Sequence, residues 1–199
     1  YSNQASVWID ASSIYGSNDG TNFWIRTQEG GRVIVTDWEG SDMIPAFDSN
    51  GFVPNWDGTS SDPNIQFGLA DSRNIENIGV SALHLLFLRE HNRLADAMQE
   101  RNPDWSDEEI FQWARKLVTA QIQVITYSEY LPSIGINLPE YIGYNSSINP
   151  QVSNEFFLLV TTSFSSQRNG AWLLLNDSRD GISGSPLELE QGYWTMEPI

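Results

Sequence analysis

Between residues 74 and 130 the apolar positions recur at three- and four-residue steps. Leu83, Leu86, Phe87, Leu94 and Met98 form one such series, the spacing of an amphipathic helix. The pattern predicts a helix over 78–101. Asn102-Pro103 stops it, because the residue before a proline is pushed out of helical backbone. Ser106-Asp107-Glu108-Glu109 then reads as a capping box. The helix it opens carries Ile110, Trp113, Leu117, Val118, Ile122 and Ile125. It is predicted to run to Tyr130, with Leu131-Pro132 as its end. The two helices are expected to pack through Leu83, Leu86, Phe87, Leu94, Trp113, Leu117 and Ile125. Asn149-Pro150 reads as a third start, an N-cap followed by proline at the first helical position. It opens a helix predicted over 150–162.

The remaining segments lack this period. SVWIDASSIYGS alternates briefly and ends in a turn, and GGRVIVTDWEG reads as one short strand between glycines. Residues 39–68 are dense in Gly, Pro, Asn, Asp and Ser and read as surface loop. The expected class is mainly α, with long irregular loops and little β. The 199 residues make one domain or a fragment of a larger one. Within it, 1–73 would hold loops, 74–162 a helical core and 163–199 a turn-rich tail.

Composition narrows the function classes. The net charge is −16, from 26 acidic and 10 basic residues. That excludes a phosphate-binding surface rich in Lys and Arg, so no nucleic-acid partner is expected. It permits calcium, which takes carboxylate and carbonyl oxygens. No cysteine is present, which removes disulfides, thiolate metal sites and cysteine catalysis together. No stretch approaches the roughly 18 apolar residues of a membrane span. The chain opens on Tyr1 without a leader, so a processed, excised or fragmentary chain is expected.

The candidate chemistry lies around the first long helix. Arg73 and Glu76 stand three residues apart near its start, a spacing that by itself reads first as an ordinary exposed ion pair. Arg89, Glu90, His91, Asn92 and Arg93 form a polar block on an apolar helix, read most simply as a polar face meeting another helix. His84 and His91 lie on one face. They lack an acidic or cysteine partner of recognisable spacing, so satisfied structural histidines are expected. Nucleophile elbows and phosphate loops are absent.

Four segments together carry a resemblance: WIDASSIYGS, LADSRNIENIGVSALHLLFLREHNRLA, NPDWSDEEIFQWARKLVTAQIQVITYSEYLP and YNSSINPQVSNEF. In order and spacing they resemble the animal haem peroxidase family, from about Ala5 to Phe156. The resemblance implies a helical peroxidase fold, haem b, calcium and hydrogen-peroxide-dependent oxidation of donors. Asp71-Ser72-Arg73 matches the family's catalytic-arginine motif, so Arg73 would stabilise the departing oxygen of peroxide. Glu76 matches a glutamate that can be esterified to haem. Asn77 stands where some members have a methionine linked to a haem vinyl, so that bond cannot form. Ser6, Trp8 (through its carbonyl), Asp10 and Ser12 match the calcium stretch.

Two departures qualify what the resemblance implies. The family's distal histidine lies upstream of the calcium loop, before this chain's first residue, and a further calcium aspartate lies with it. The family's proximal histidine position aligns with Phe164, and its nearby arginine with Thr161. Phenylalanine offers iron no axial donor. Two readings follow. In one, the chain is the central part of a peroxidase, inactive alone, whose histidines come from other segments or chains of the same protein. In the other, it is a haem-free, calcium-binding domain with a structural or adhesive role in a larger exported protein. Either places it outside the cell or in an exported compartment. Asn145 and Asn176 open glycosylation sequons that matter only in a eukaryotic secretory protein.

Overall fold

The computed structural model describes residues 6–45, 68–75, 77–164, 170–183 and 185–188. In chain order these form α1 (Ser12–Tyr15), α2 (Asp19–Trp24), β1 (Thr36–Trp38), β2 (Ser41–Met43), a 3-10 turn (Ser72–Ile75), α3 (Ile78–Arg101) and α4 (Asp107–Val124). A π-helical segment (Ile125–Tyr130), α5 (Leu131–Ser133), α6 (Asn154–Phe164), β3 (Ala171–Trp172) and β4 (Leu187–Glu188) follow. The chain is mainly α; among the described residues the strands make two short antiparallel pairs.

Asn77 caps α3, its side chain accepting from the Val80 N–H at 3.0 Å. That satisfies one of the free amide groups every helix start exposes. The helix ends at Arg101, where Asn102 returns its N–H to the Met98 carbonyl. The predicted capping box opens α4. Glu109 Oε2 accepts from the Ser106 N–H at 2.9 Å, and Ser106 Oγ accepts from the Glu109 N–H at 3.3 Å.

The core lies where α3 and α4 meet the N-terminal segment. α4 buries Ile110, Phe111, Ala114 and Val118, and α3 buries Leu88, Leu94 and Ala95. Ile14, Tyr15, Ile25 and Val33 close the cluster. Tyr15, His91 and Phe111 pack ring against ring, with centroids 5.3 to 5.7 Å apart. The Arg26 guanidinium lies 4.0 Å above the Phe111 ring. It also pairs with Asp107 at 2.6 Å and Glu108 at 2.5 Å. Both acids sit in the first turn of α4, where negative charge also suits the helix dipole.

Several expectations change. Leu83 and Leu86 are more than half exposed, and Trp113 and Ile125 are also exposed. The buried stripe of α3 instead runs through Ser81, His84, Leu88, His91, Asn92 and Ala95. The apolar period selects a face that includes the exposed Leu83 and Leu86. Leu131-Pro132 does not end the second helix, which continues to Ser133. The π-helical stretch before it shifts the backbone pairing, and Pro132 enters in the first turn of α5, where a missing N–H costs nothing. The third helix begins at Asn154, not residue 150: Ser153 Oγ accepts from the Phe156 N–H and so sets the start. Asn149 instead makes a local turn with Gln151. The expected single strand is a hairpin, β1 on β2, together with an isolated pairing of Arg26 and Val33. Of the expected loop at 39–68, Ser41–Met43 is strand and 46–67 lies outside the described residues.

Beyond α4 the chain shows much apolar surface. Tyr141, Ile142, Tyr144, Phe156, Phe157 and Leu159 are all more than half exposed. Among the described residues no helix is long and apolar enough to cross a membrane.

Candidate functional site

Residues 6–10 run irregularly into α1. Ala11, between them, has φ of 58°, a left-handed value uncommon for a residue with a Cβ. This bend turns the Asp10 carboxylate back on the chain, where Oδ1 accepts from the Ser12 N–H at 3.0 Å. Burial raises the Asp10 pKa, but hydrogen bonds from the Ser6 and Ser12 hydroxyls and the Ser12 N–H outweigh it and hold it below the usual value. The Trp8 N–H bonds Ser6 Oγ at 3.2 Å, and its indole is exposed. Ser6, Asp10 and Ser12 therefore converge on one polar cleft of about 520 Å³, with Asp19, Glu108 and Arg115 also on its walls. One carboxylate and two hydroxyls are hard oxygen donors of the kind calcium takes. Among the described residues no group of three or more His, Cys, Asp and Glu side chains gathers as a metal cluster.

Arg73 lies on the 3-10 turn ahead of α3. It pairs with Asp71: Nε donates to Oδ1 at 2.9 Å and the guanidinium reaches Oδ2 at 2.5 Å. Asp71 also accepts the Arg73 N–H. Burial raises the Asp71 pKa, yet these bonds from Arg73 prevail and lower it. The Arg73 side chain is 69% exposed, so its charge faces outward. Glu76 lies outside the described residues. Asn77, in the position of the family's methionine, has a structural use as the α3 cap.

The polar block of α3 meets a loop rather than a helix along most of its length. Arg89 Nε donates to the Asp42 carbonyl at 2.7 Å. His91 Nε2 lies 2.8 Å from the Gly31 carbonyl, and its Nδ1 lies 2.8 Å from Tyr15 Oη. A carbonyl can only accept, so Nε2 carries the proton and Nδ1 accepts from Tyr15. Asn92 binds Val33 on both sides of its amide. Glu90 and His91 reach α4: Glu90 accepts from Gln121 at 2.7 Å while pairing with Arg93, and the His91 ring packs against Phe111. His84 is buried, with Nδ1 at 3.0 Å from Asn74 Nδ2. Both histidines are thus structural, as expected.

Phe164 closes α6, with Thr161 one turn before it. Further along the chain, Trp172 of β3 comes back to lie over Gly79 near the start of α3, so close that a Cβ there would overlap the indole. Sequence reasoning missed two contributors to this region, Asn74 and Trp172, whose partners Ser13 and Gly79 are distant in sequence. Asn92 belongs to the polar block that the sequence singles out.

The family model described as "Animal haem peroxidase" matches residues 1–199. Peroxinectin A of Dictyostelium discoideum is 35% identical over 162 residues, covering 81% of this chain and 30% of that protein. Myeloperoxidase of Mus musculus is 36% identical over 165 residues, covering 77% and 23%. Among solved structures, Peroxidase A from Dictyostelium discoideum matches with a TM-score of 0.82 and 31% identity, over 94% of this chain and 36% of that one. The chain thus spans about a third or less of the length of these relatives.

Proposed function

Because the chain belongs to the animal haem peroxidase family, we propose that it is the central part of a peroxide-dependent oxidoreductase site and is not competent alone. It contributes Arg73, the arginine whose charge would stabilise negative charge developing on a peroxide oxygen. It also contributes a calcium loop of Ser6, Asp10, Ser12 and the Trp8 carbonyl. Glu76 would be the haem-linked carboxylate. The active protein is a larger, exported one, and other segments or chains of it supply the histidines. The length of the relatives supports this reading.

One observation carries the claim of incompetence. The chain has two histidines, and both are committed inside the protein. His91 uses both ring nitrogens, and His84 is buried against Asn74. With Phe164 at the aligned ligand position, the described residues offer haem iron no axial nitrogen. They do not complete a haem site. The same observation favours a second reading, a haem-free calcium-binding domain with a structural or adhesive role in a larger exported protein.

Hemin addition to the purified chain tests the first claim. The expected result is no stoichiometric Soret band and no oxidation of a phenolic donor by peroxide. A band with turnover that disappears in Arg73→Ala would overturn it. Phe164→His is expected to raise hemin affinity, since imidazole restores the donor. Recombination with the flanking parts of the parent protein separates the two readings: peroxidase activity supports the first, its absence the second.

A further inference from the structure

We infer that Asn74 is a positioning residue that couples the Asp10 cation loop to Arg73. The inference rests on the reading above, in which that loop takes calcium and Arg73 belongs to the site. Asn74 directly follows Arg73 within the four-residue 3-10 turn and is only 6% exposed. Its side-chain nitrogen donates to the Ser13 carbonyl at 2.6 Å and lies 3.0 Å from His84 Nδ1. A primary amide has two hydrogens, and this arrangement occupies both. His84 must then accept, which requires the neutral ring. The Asn74 carbonyl in turn accepts from Ser81 Oγ at 2.8 Å. One residue is therefore fastened to α1 on one side and to α3 on the other, while its neighbour Arg73 projects outward.

The tie to α1 carries the coupling. α1 is four residues long, too short to hold its own geometry, since a single turn is unfavourable in isolation. Its second half is held by burial of Ile14 and Tyr15 in the core, and its first half by two polar attachments. One is the Asp10 carboxylate on the Ser12 N–H. The next residue, Ser13, holds Asn74. A cation on Asp10 uses the carboxylate's remaining lone pairs and fixes the group that anchors Ser12, and the restraint on α1 reaches Arg73 through the Ser13–Asn74 bond. Coupling of this kind is reciprocal. Whatever factor calcium contributes to ordering the Arg73 turn, the Asn74 amide contributes to calcium affinity.

The test measures two quantities on the full chain after chelator treatment: heat on titrating calcium chloride, and the rate at which phenylglyoxal modifies Arg73, followed by peptide mass analysis. Calcium is expected to bind and to slow modification of Arg73 by about fivefold, the low end of ordinary coupling. Arg101, exposed at the far end of α3, serves as the internal reference and should not change. Asn74→Leu, which keeps most of the volume and removes the amide, should abolish the calcium effect on Arg73. It should also weaken calcium binding by the same factor. A variant that merely loosened the fold would raise modification with and without calcium alike. Calcium heat with an unchanged Arg73 rate in the unmodified sequence overturns the coupling while the calcium reading stands. That arm needs no variant to fold. Absence of calcium heat overturns the calcium reading and the coupling with it.

Discussion

Asn92 holds Val33 by both ends of its amide: Oδ1 accepts from the Val33 N–H at 2.9 Å, and Nδ2 donates to the Val33 carbonyl at 3.1 Å. Both residues are at most 2% exposed, so no water replaces these bonds. The side chain does for this loop what a neighbouring strand would do. Asn92→Ala orphans a buried donor and a buried acceptor, at about 1–3 kcal/mol each. Urea denaturation should show a loss of about 2–4 kcal/mol. A loss below about 0.5 kcal/mol, the range of ordinary surface changes, would mean the loop does not depend on this clamp.

Gly31 combines a backbone demand with a close approach. Its φ is +67°, and a Cβ there would lie 2.5 Å from the Phe111 nitrogen and from Ile110 Cγ2. Gly31→Ala should cost about 2–4 kcal/mol from strain and overpacking together. Gly135 isolates the first contribution, because it has φ of +83° and open space around its Cβ position. Gly135→Ala should cost only about 1 kcal/mol. Equal melting shifts in the two variants would show that the contact with α4 is not tight.

The faces of the long helices can be checked by truncation. Phe111 is fully buried, and Leu83 is 58% exposed. Phe111→Ala should lose about 3–5 kcal/mol, while Leu83→Ala should stay within about 0.5 kcal/mol. Reversal of that order in denaturant unfolding would put the core on the other side of α3.

Acid should weaken the fold in a defined window. Burial pulls His91 down to about 4, helped by the charges of Arg26 and Arg32 and opposed by its bond to Gly31. Burial likewise pulls His84 down to about 4, against the attraction of Asp71. The unfolded imidazole takes a proton near pH 6.5, and the folded one only near pH 4. Between these values the unfolded state binds more protons, so stability rises with pH. The contribution is complete above about pH 6.5 and falls as pH drops toward 4. Each histidine should cost on the order of 2 kcal/mol by pH 5. An unchanged denaturation midpoint between pH 7 and pH 5 would contradict this. So would imidazole resonances that titrate near 6.5.

Local signals survived into the structure, and long-range ones did not. The capping box at Ser106, the Asn102-Pro103 stop and the two long helices were legible because each depends on neighbours a few residues away. The inner face of α3 was not. Its stripe contains Ser81, His84, His91 and Asn92, polar residues that a hydrophobic period excludes but that loop and turn partners satisfy. Pro132 misled for a related reason: the π-helical segment before it changes which amide is needed, and composition does not reveal that. At the candidate site, the converging oxygens of Ser6, Asp10 and Ser12 followed from the motif. The pairing of Arg73 with Asp71 depends on the 3-10 turn, which the motif does not encode.

The exposed apolar side chains from Tyr141 to Ile148 have a practical consequence. Ile142 is 98% exposed and Tyr141 81%, and soluble proteins rarely present apolar surface on this scale without a use for it. In water such a chain is surface-active. It will collect at air–liquid boundaries, adhere to hydrophobic resins and plastic, and brighten polarity-sensitive dyes while fully folded. Dye-based melting curves of this chain will therefore start from a high baseline, and circular dichroism is the cleaner monitor of its unfolding.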